Sequence, residues 1–177
     1  GTAARMGGID KASIELAGRT TLELAIDAFI DADEVVVVGP ETVPTNRPVT
    51  TVFEDPPRGG PVAGLLTGVD ALLRKPRTVG ILAVDMPRVT AYTFRRLREA
   101  AAGHDGAFLV DAEGRRQLAG VLDAGRLGEV RPDLEGQHNM SVRRLLEPLD
   151  LVDVSAVDDE AMDIDTWADL REISSSP

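Results

Sequence analysis

Thr78-Val-Gly-Ile-Leu-Ala-Val-Asp85 is an apolar run that ends on a carboxylate. From Val79 to Val84 it shows no polar–apolar alternation, and an unbroken run of this length reads as a strand buried on both faces of a parallel sheet. Downstream, Thr90 stands as a helix N-cap, with Phe94, Leu97 and Ala101 on the helix it starts. Upstream, Val62, Leu65, Leu66, Val69, Leu72 and Leu73 mark another helix, with Pro61 in its first turn. Val49 to Asp55 reads as a strand that also ends in acid, and Glu34-Val-Val-Val-Val-Gly39 as a further doubly buried strand. Earlier still, Leu22, Ala25, Ile26, Phe29 and Ile30 fit an amphipathic helix with Thr20 and Thr21 as candidate N-caps.

Ala107 to Asp111 predicts a further strand, with Leu118 to Leu122 pairing nearby. Val142, Leu145, Leu146 and Leu149 mark a helix, and Leu151 to Val157 a last strand. A final helix is expected from about Asp165 and Thr166, followed by a frayed tail after Ile173. Arg126 to Asn139, rich in Gly, Pro and charge, reads as a loop and a candidate substrate-binding flap. This alternation predicts an α/β fold over residues 1–177 as one domain, a Rossmann-like, doubly wound, mostly parallel sheet. Ligands of such sheets bind beyond the C-terminal ends of the strands, where Asp55 and Asp85 stand.

Composition narrows the function. A formal net charge of −11 argues against a nucleic acid partner, because such proteins need clustered Lys and Arg to displace counterions. No apolar run approaches the roughly 20 residues of a membrane span, so no membrane association is expected. There is no cysteine, hence no disulfide framework and no thiolate metal site, and a cytoplasmic location is the expectation. A single nucleotide triphosphate remains compatible with an acidic protein, since backbone N–H groups, one lysine and a divalent cation can hold it.

The opening Gly1-Thr-Ala-Ala-Arg-Met-Gly-Gly-Ile-Asp-Lys11 joins a small-residue loop to a lysine, a composition that brings backbone N–H groups against phosphates. Arg5-Met-Gly-Gly8 with Asp10-Lys11 resembles, residue for residue, the signature of the molybdenum cofactor guanylyltransferases. Glu54-Asp55 with Gly60-Pro-Val-Ala-Gly64 is similar to that family's acidic strand end and Gly-Pro-x-Ala-Gly turn, and Asp85-Met-Pro87 to its Asp-x-Pro metal motif. Gly114-Arg-Arg-Gln117, the Ser141 to Leu146 helix and Asp163-Ile-Asp-Thr166 extend the resemblance. Two departures stand out. The sequence begins at the second glycine of the loop, so the family's first strand and its Leu-Ala-Gly are not in it, and the native chain is expected to extend further. Asp163-Ile-Asp-Thr-Trp167 stands where the family usually carries Asn-x-Asn-Thr-Pro.

The resemblance implies the nucleotide-diphospho-sugar transferase type of Rossmann-like fold. It also implies transfer of GMP from GTP to the terminal phosphate of molybdopterin or molybdenum cofactor, with Mg²⁺ as cofactor and pyrophosphate as product. Molybdoenzymes or other cofactor-biosynthesis proteins would be its partners. Asp85 would bind Mg²⁺, with Asp165 or Asp163 completing the shell, and as an alternative each is an N-cap. Lys11 would hold the triphosphate with help from Arg5, and Gly1, Gly7 and Gly8 would line the phosphates. Asp55, Gly60, Pro61 and Gly64 would face the base or ribose, Ala63 and Gly64 leaving room for a bicyclic ring. Gln117, His138 and Asn139 are weaker candidates for the acceptor pocket. Two rival readings stand beside this one: a transferase of CTP or another nucleotide to a different phosphate, and a non-catalytic nucleotide-binding protein on the same fold.

Overall fold

With the exception of one that opens on a glycine, the helices start where a short polar side chain can satisfy their first backbone N–H groups. The computed structural model describes residues 10–40, 43–55 and 59–175. After a 3₁₀ turn at Lys11–Ser13, a small hairpin pairs β1 (Glu15–Leu16) with β2 (Arg19–Thr20). Ala17 and Gly18, both at positive φ, make its two-residue turn. Thr20 then caps α1 (Thr21–Ala28) through a capping box with Glu23, so the expected helix is present but ends before Phe29.

β3 (Val36–Val38) and β4 (Thr50–Val52) form a parallel pair. Gly60 caps α2 (Pro61–Asp70), which stops short of Leu72 and leaves Leu73 exposed. β5 (Thr78–Leu82) leads to α3 (Ala91–Ala100), capped by Thr90 as expected. β6 (Gly106–Val110) and β7 (Arg116–Asp123) follow. The expected loop from Arg126 to Asn139 instead holds most of α4 (Ala124–Val130) and all of α5 (Leu134–Gln137). Asp123 and Asp133 cap them, which outweighs the glycines that made the stretch look irregular. α6 (Val142–Leu146), β8 (Leu151–Ser155) and α7 (Trp167–Ser175) complete the chain, α7 running two residues past the point where fraying was expected.

The main sheet has the order β5-β7-β6-β8. β7 runs antiparallel to both neighbours while β6 and β8 are parallel, so β5, β6 and β8 share one direction and β7 opposes them. The sheet is covered on both faces. Phe94 and Leu97 of α3 pack with Ala107, Leu109, Ala119 and Val121 on one side. Val62 and Leu66 of α2 pack with Phe108, Leu122, Leu127 and the α6 leucines on the other. β6 is therefore buried at all five positions, as a doubly wound sheet requires.

β3 departs from expectation: its valines are only half-buried. It is not hydrogen-bonded to β5, and a cleft of about 2100 Å³ separates the two, with residues of β3, β5, α1 and α2 in its walls. α2 lies close on β3, where a Cβ at Gly68 would come within 3.0 Å of the Val38 side chain. Among the described residues, no helix is long and apolar enough to cross a membrane.

Candidate active site

Three distant segments meet beyond the C-terminal end of β5. The Lys11 ammonium donates to Asp85 Oδ2 at 2.8 Å and to Asp165 Oδ1 at 2.6 Å. Apolar packing and backbone bonds bring them there. Ile14, Ile164 and Ile173 form one buried cluster that ties the Lys11 turn, the Asp163–Asp165 loop and α7 together. The Ile164 N–H donates to the Asp85 carbonyl at 2.9 Å, setting Asp165 beside Asp85. The wholly buried Thr21 gives its hydroxyl to the Lys11 carbonyl, which fixes the lysine's backbone on the first turn of α1. Asp169 accepts from the N–H groups of Asp165 and Thr166, and Thr166 Oγ1 accepts from the Asp169 N–H. Thr21 and Asp169 were not among the candidates from sequence. The Thr166-x-x-Asp169 spacing is a capping-box pattern that could have flagged the second.

The electrostatics follow from this convergence. Burial works against the Lys11 ammonium, yet the hydrogen bonds to Asp165 and Asp85, and the attraction of both charges, raise its pKa above the usual lysine value. Asp163 moves upward too, first by desolvation of its carboxyl and then by the negative charges of Asp165 and Asp85. Lys11 thus sits among three carboxylates, two of which it bonds. Among the described residues no three acidic or imidazole groups form a ready cage for a metal. Asp85 and Asp165 do converge on one cationic point. Such a pair suits a magnesium-like ion that keeps waters and takes its other oxygens from a phosphate chain.

The same cleft reaches the turn that opens α2. Lys11, Asp85, Glu54, Gly60, Pro61 and Gly64 all line it. Gly60 has φ +93, a region that favours glycine, and no side chain caps the helix there. The Asn139 N–H, from a residue itself at positive φ, donates to the Gly59 carbonyl at 2.8 Å, so the α5–α6 connection abuts this turn.

Three expectations change here. Asp55 is exposed, and the acid on the cleft wall is its neighbour Glu54, because successive side chains at a strand end face opposite ways. Ala63 is fully buried and leaves no room for a ring, while the open side of Gly64 faces Glu54 Oε1 and Val38. Gln117 donates to Asp111 Oδ2 and to the Arg115 carbonyl within the β6–β7 turn, which commits its amide locally. His138 is exposed. Gly1, Arg5, Gly7 and Gly8 lie outside the described residues.

A lysine that bridges two carboxylates beyond the end of β5, beside a cleft that also reaches a glycine-bearing helix turn, is an arrangement suited to an α/β protein that handles anionic ligands. Residues 1–154 match the family model of the MobA-like NTP transferase domain, and the chain belongs to that family of nucleotidyltransferases. A protein of Opitutus terrae is 30% identical over 145 residues, covering 79% of this chain and 72% of its own. One of Methanosarcina acetivorans is 25% identical over 189 residues, covering 98% and 83%. Both are named "probable molybdenum cofactor guanylyltransferase".

Solved structures share the fold. The molybdopterin-guanine dinucleotide biosynthesis protein A of Archaeoglobus fulgidus superposes with a TM-score of 0.74 at 18% identity, covering 98% of this chain and 93% of that one. The 2-C-methyl-D-erythritol 4-phosphate cytidylyltransferase of Thermus thermophilus gives 0.71 at 21%, covering 98% and 95%. A Mycobacterium tuberculosis protein solved as a manganese complex gives 0.75 at 16%, covering 98% and 94%.

Proposed function

We propose that the protein transfers GMP from GTP to the terminal phosphate of molybdopterin or molybdenum cofactor, working in the cytoplasm where GTP is abundant. The observation that carries this reading is that Lys11 and Asp85 line one cleft with the Gly60 turn, while Asp165 bonds the same lysine. The names of the two relatives support the guanylyl donor and the molybdenum cofactor acceptor. A terminal phosphate oxygen of the acceptor attacks the α-phosphorus of GTP and forms a new P–O–P linkage. The bond from the α-phosphorus to the α–β bridging oxygen breaks, and pyrophosphate leaves with that electron pair.

The protein supplies position and charge, and no side chain need act as a nucleophile. Asp85 and Asp165 would hold Mg²⁺, which neutralises the triphosphate when bound, and the manganese complex of a fold neighbour supports a divalent ion here. Lys11, released from the carboxylates it bridges, donates to the phosphates and follows charge onto the departing pyrophosphate. The Gly60 turn offers uncapped N–H groups to the nucleotide. Molybdoenzymes or other cofactor-biosynthesis proteins are the proposed recipients of the product.

Pyrophosphate release, measured with GTP, CTP and ATP in turn and with or without molybdopterin, tests the reading. Release is expected only with GTP, acceptor and Mg²⁺ together. Asp85→Asn keeps the shape but removes a metal-binding charge, and is expected to lower the rate by about a hundredfold or more while the protein stays folded. Release with CTP in place of GTP would move the chain among the cytidylyl transferases. Near-normal turnover of Asp85→Asn at saturating Mg²⁺ would remove Asp85 from the metal site.

A further inference from the structure

We infer that Glu160 is a positioning residue that holds Asp165 against Asp85; the inference rests on the reading of those two carboxylates as the metal site. Among the described residues Glu160 is the one buried charged side chain, 9% exposed. Its carboxylate is bonded from both sides. The wholly buried Thr93 gives its hydroxyl to Oε1 at 2.7 Å, Arg96 Nη1 forks over Oε1 at 3.0 Å and Oε2 at 2.7 Å, and the Val157 N–H donates to Oε2 at 2.8 Å. Arg96 Nη2 continues to the Ser155 carbonyl at 2.6 Å. Thr93 and Arg96 stand on α3, so Glu160 staples residues 156–166, which form no helix or strand, to that helix. A buried ion pair of this kind adds little net stability, because desolvating two charges offsets most of their attraction. What it fixes is the path of a segment without regular structure.

Both ends of the staple lead to the site. On the helix side, Met86 and Val89 are buried in the same core as Phe94 and Leu97 of α3, and the Val89 N–H donates to the Met86 carbonyl at 3.3 Å. The short stretch between Asp85 and α3 therefore moves with the helix. On the loop side, Ala161 packs on that core, and the Met162 N–H donates to the Asp159 carbonyl at 3.0 Å. Just beyond, the Ile164 N–H reaches the Asp85 carbonyl at 2.9 Å, and Asp165 follows. Glu160 touches neither nucleotide nor metal in this scheme and acts through the loop. A magnesium-like ion tolerates little departure from octahedral geometry, so a loop set slightly off would weaken its hold.

Glu160→Gln combined with Arg96→Met removes the ion pair and leaves no charge buried alone, so the melting temperature should change little. Two readings on this double variant test the role. The Ile164 amide is expected to exchange with deuterium about tenfold faster while the Phe108 amide of β6 keeps its rate. The factor by which Mn²⁺ tightens GTP binding, read by titration calorimetry with and without the metal, is expected to shrink about tenfold. Glu160→Gln alone should move both readings the same way. Gly120→Ala, which crowds Phe108 in the sheet, is the control for lost stability and should leave both readings at wild type. If either reading stays at wild type in the double variant, or if Gly120→Ala moves both as far, the positioning role is overturned. A wild type in which Mn²⁺ does not tighten GTP binding defeats the metal reading itself, and this inference with it.

Discussion

At the residue scale the site is held by opposite charges at close range. Lys11 bridges Asp85 and Asp165, so removing its ammonium leaves two carboxylates facing each other with a third, Asp163, close enough to feel them. Lys11→Met should therefore lower the melting temperature, and added Mg²⁺ should restore more of it than in the wild type, where a metal would have to displace the ammonium. Thermal melts with and without Mg²⁺ check this, and a variant whose midpoint ignores both changes would make Lys11 a bystander. The pH dependence has a defined sign. A lysine whose pKa is raised in the folded state stabilises it fully below the ordinary value of 10.5, and that contribution is lost as pH rises through the raised value. Lys11 and Asp85 stood out in the sequence because motifs carry them, whereas Asp165 shared its place with Asp163 there, and the Ile164 bond to the Asp85 carbonyl is what sets Asp165 beside Lys11. The choice between Glu54 and Asp55 was not legible, since which of two adjacent side chains faces a cleft depends on how the strand ends.

At the scale of elements, local signals did most of the specifying. Thr20 and Thr90 announced α1 and α3, and Pro61 announced α2. Strand direction was harder to read. Arg116 to Asp123 carries no mark of running against its neighbours. Yet only Asp111 to Arg115 join it to β6, too few for a parallel crossover, and Asp111 closes that turn by accepting from the Glu113 and Arg115 N–H groups. The pairing of these strands is tight. Gly120 lies opposite Phe108, and a Cβ there would meet three ring carbons at 2.5 to 2.7 Å, with Phe108 only 1% exposed and unable to yield. Gly120→Ala should cost about 1 to 3 kcal/mol by overpacking. Denaturant unfolding measures it, and a cost under about 0.5 kcal/mol, the range of an ordinary surface substitution, would mean that the β6–β7 layer is looser than its geometry.

At the scale of the whole molecule, the two sheets face each other across the cleft between β3 and β5, and their backbones show what would join them. Val35 and Gly39 bond to β4, so by strand alternation the N–H and C=O groups of Val36 and Val38 point away from β4. Arg77 and Ala83 bond across to the β7 strand and its end, so those of Thr78, Gly80 and Leu82 point away from β7. Both rims are apolar in side chain and polar in backbone, which is the chemistry that accepts an extended strand. It also accounts for the half-buried valines of β3, which the sequence alone made look doubly covered. A five-residue Val/Ile strand tethered to the chain should enter and join the sheets into one. About five net hydrogen bonds at about 1 kcal/mol each would raise the melting temperature by roughly 10 °C for a chain of this size. Hydrogen exchange gives the local readout: the Val36, Val38, Gly80 and Leu82 amides should slow with this fusion. They should not slow with one of equal length carrying proline at alternate positions, which cannot donate. If the two fusions protect these amides equally, or neither does, the cleft is not a strand site and β3 is an ordinary exposed edge.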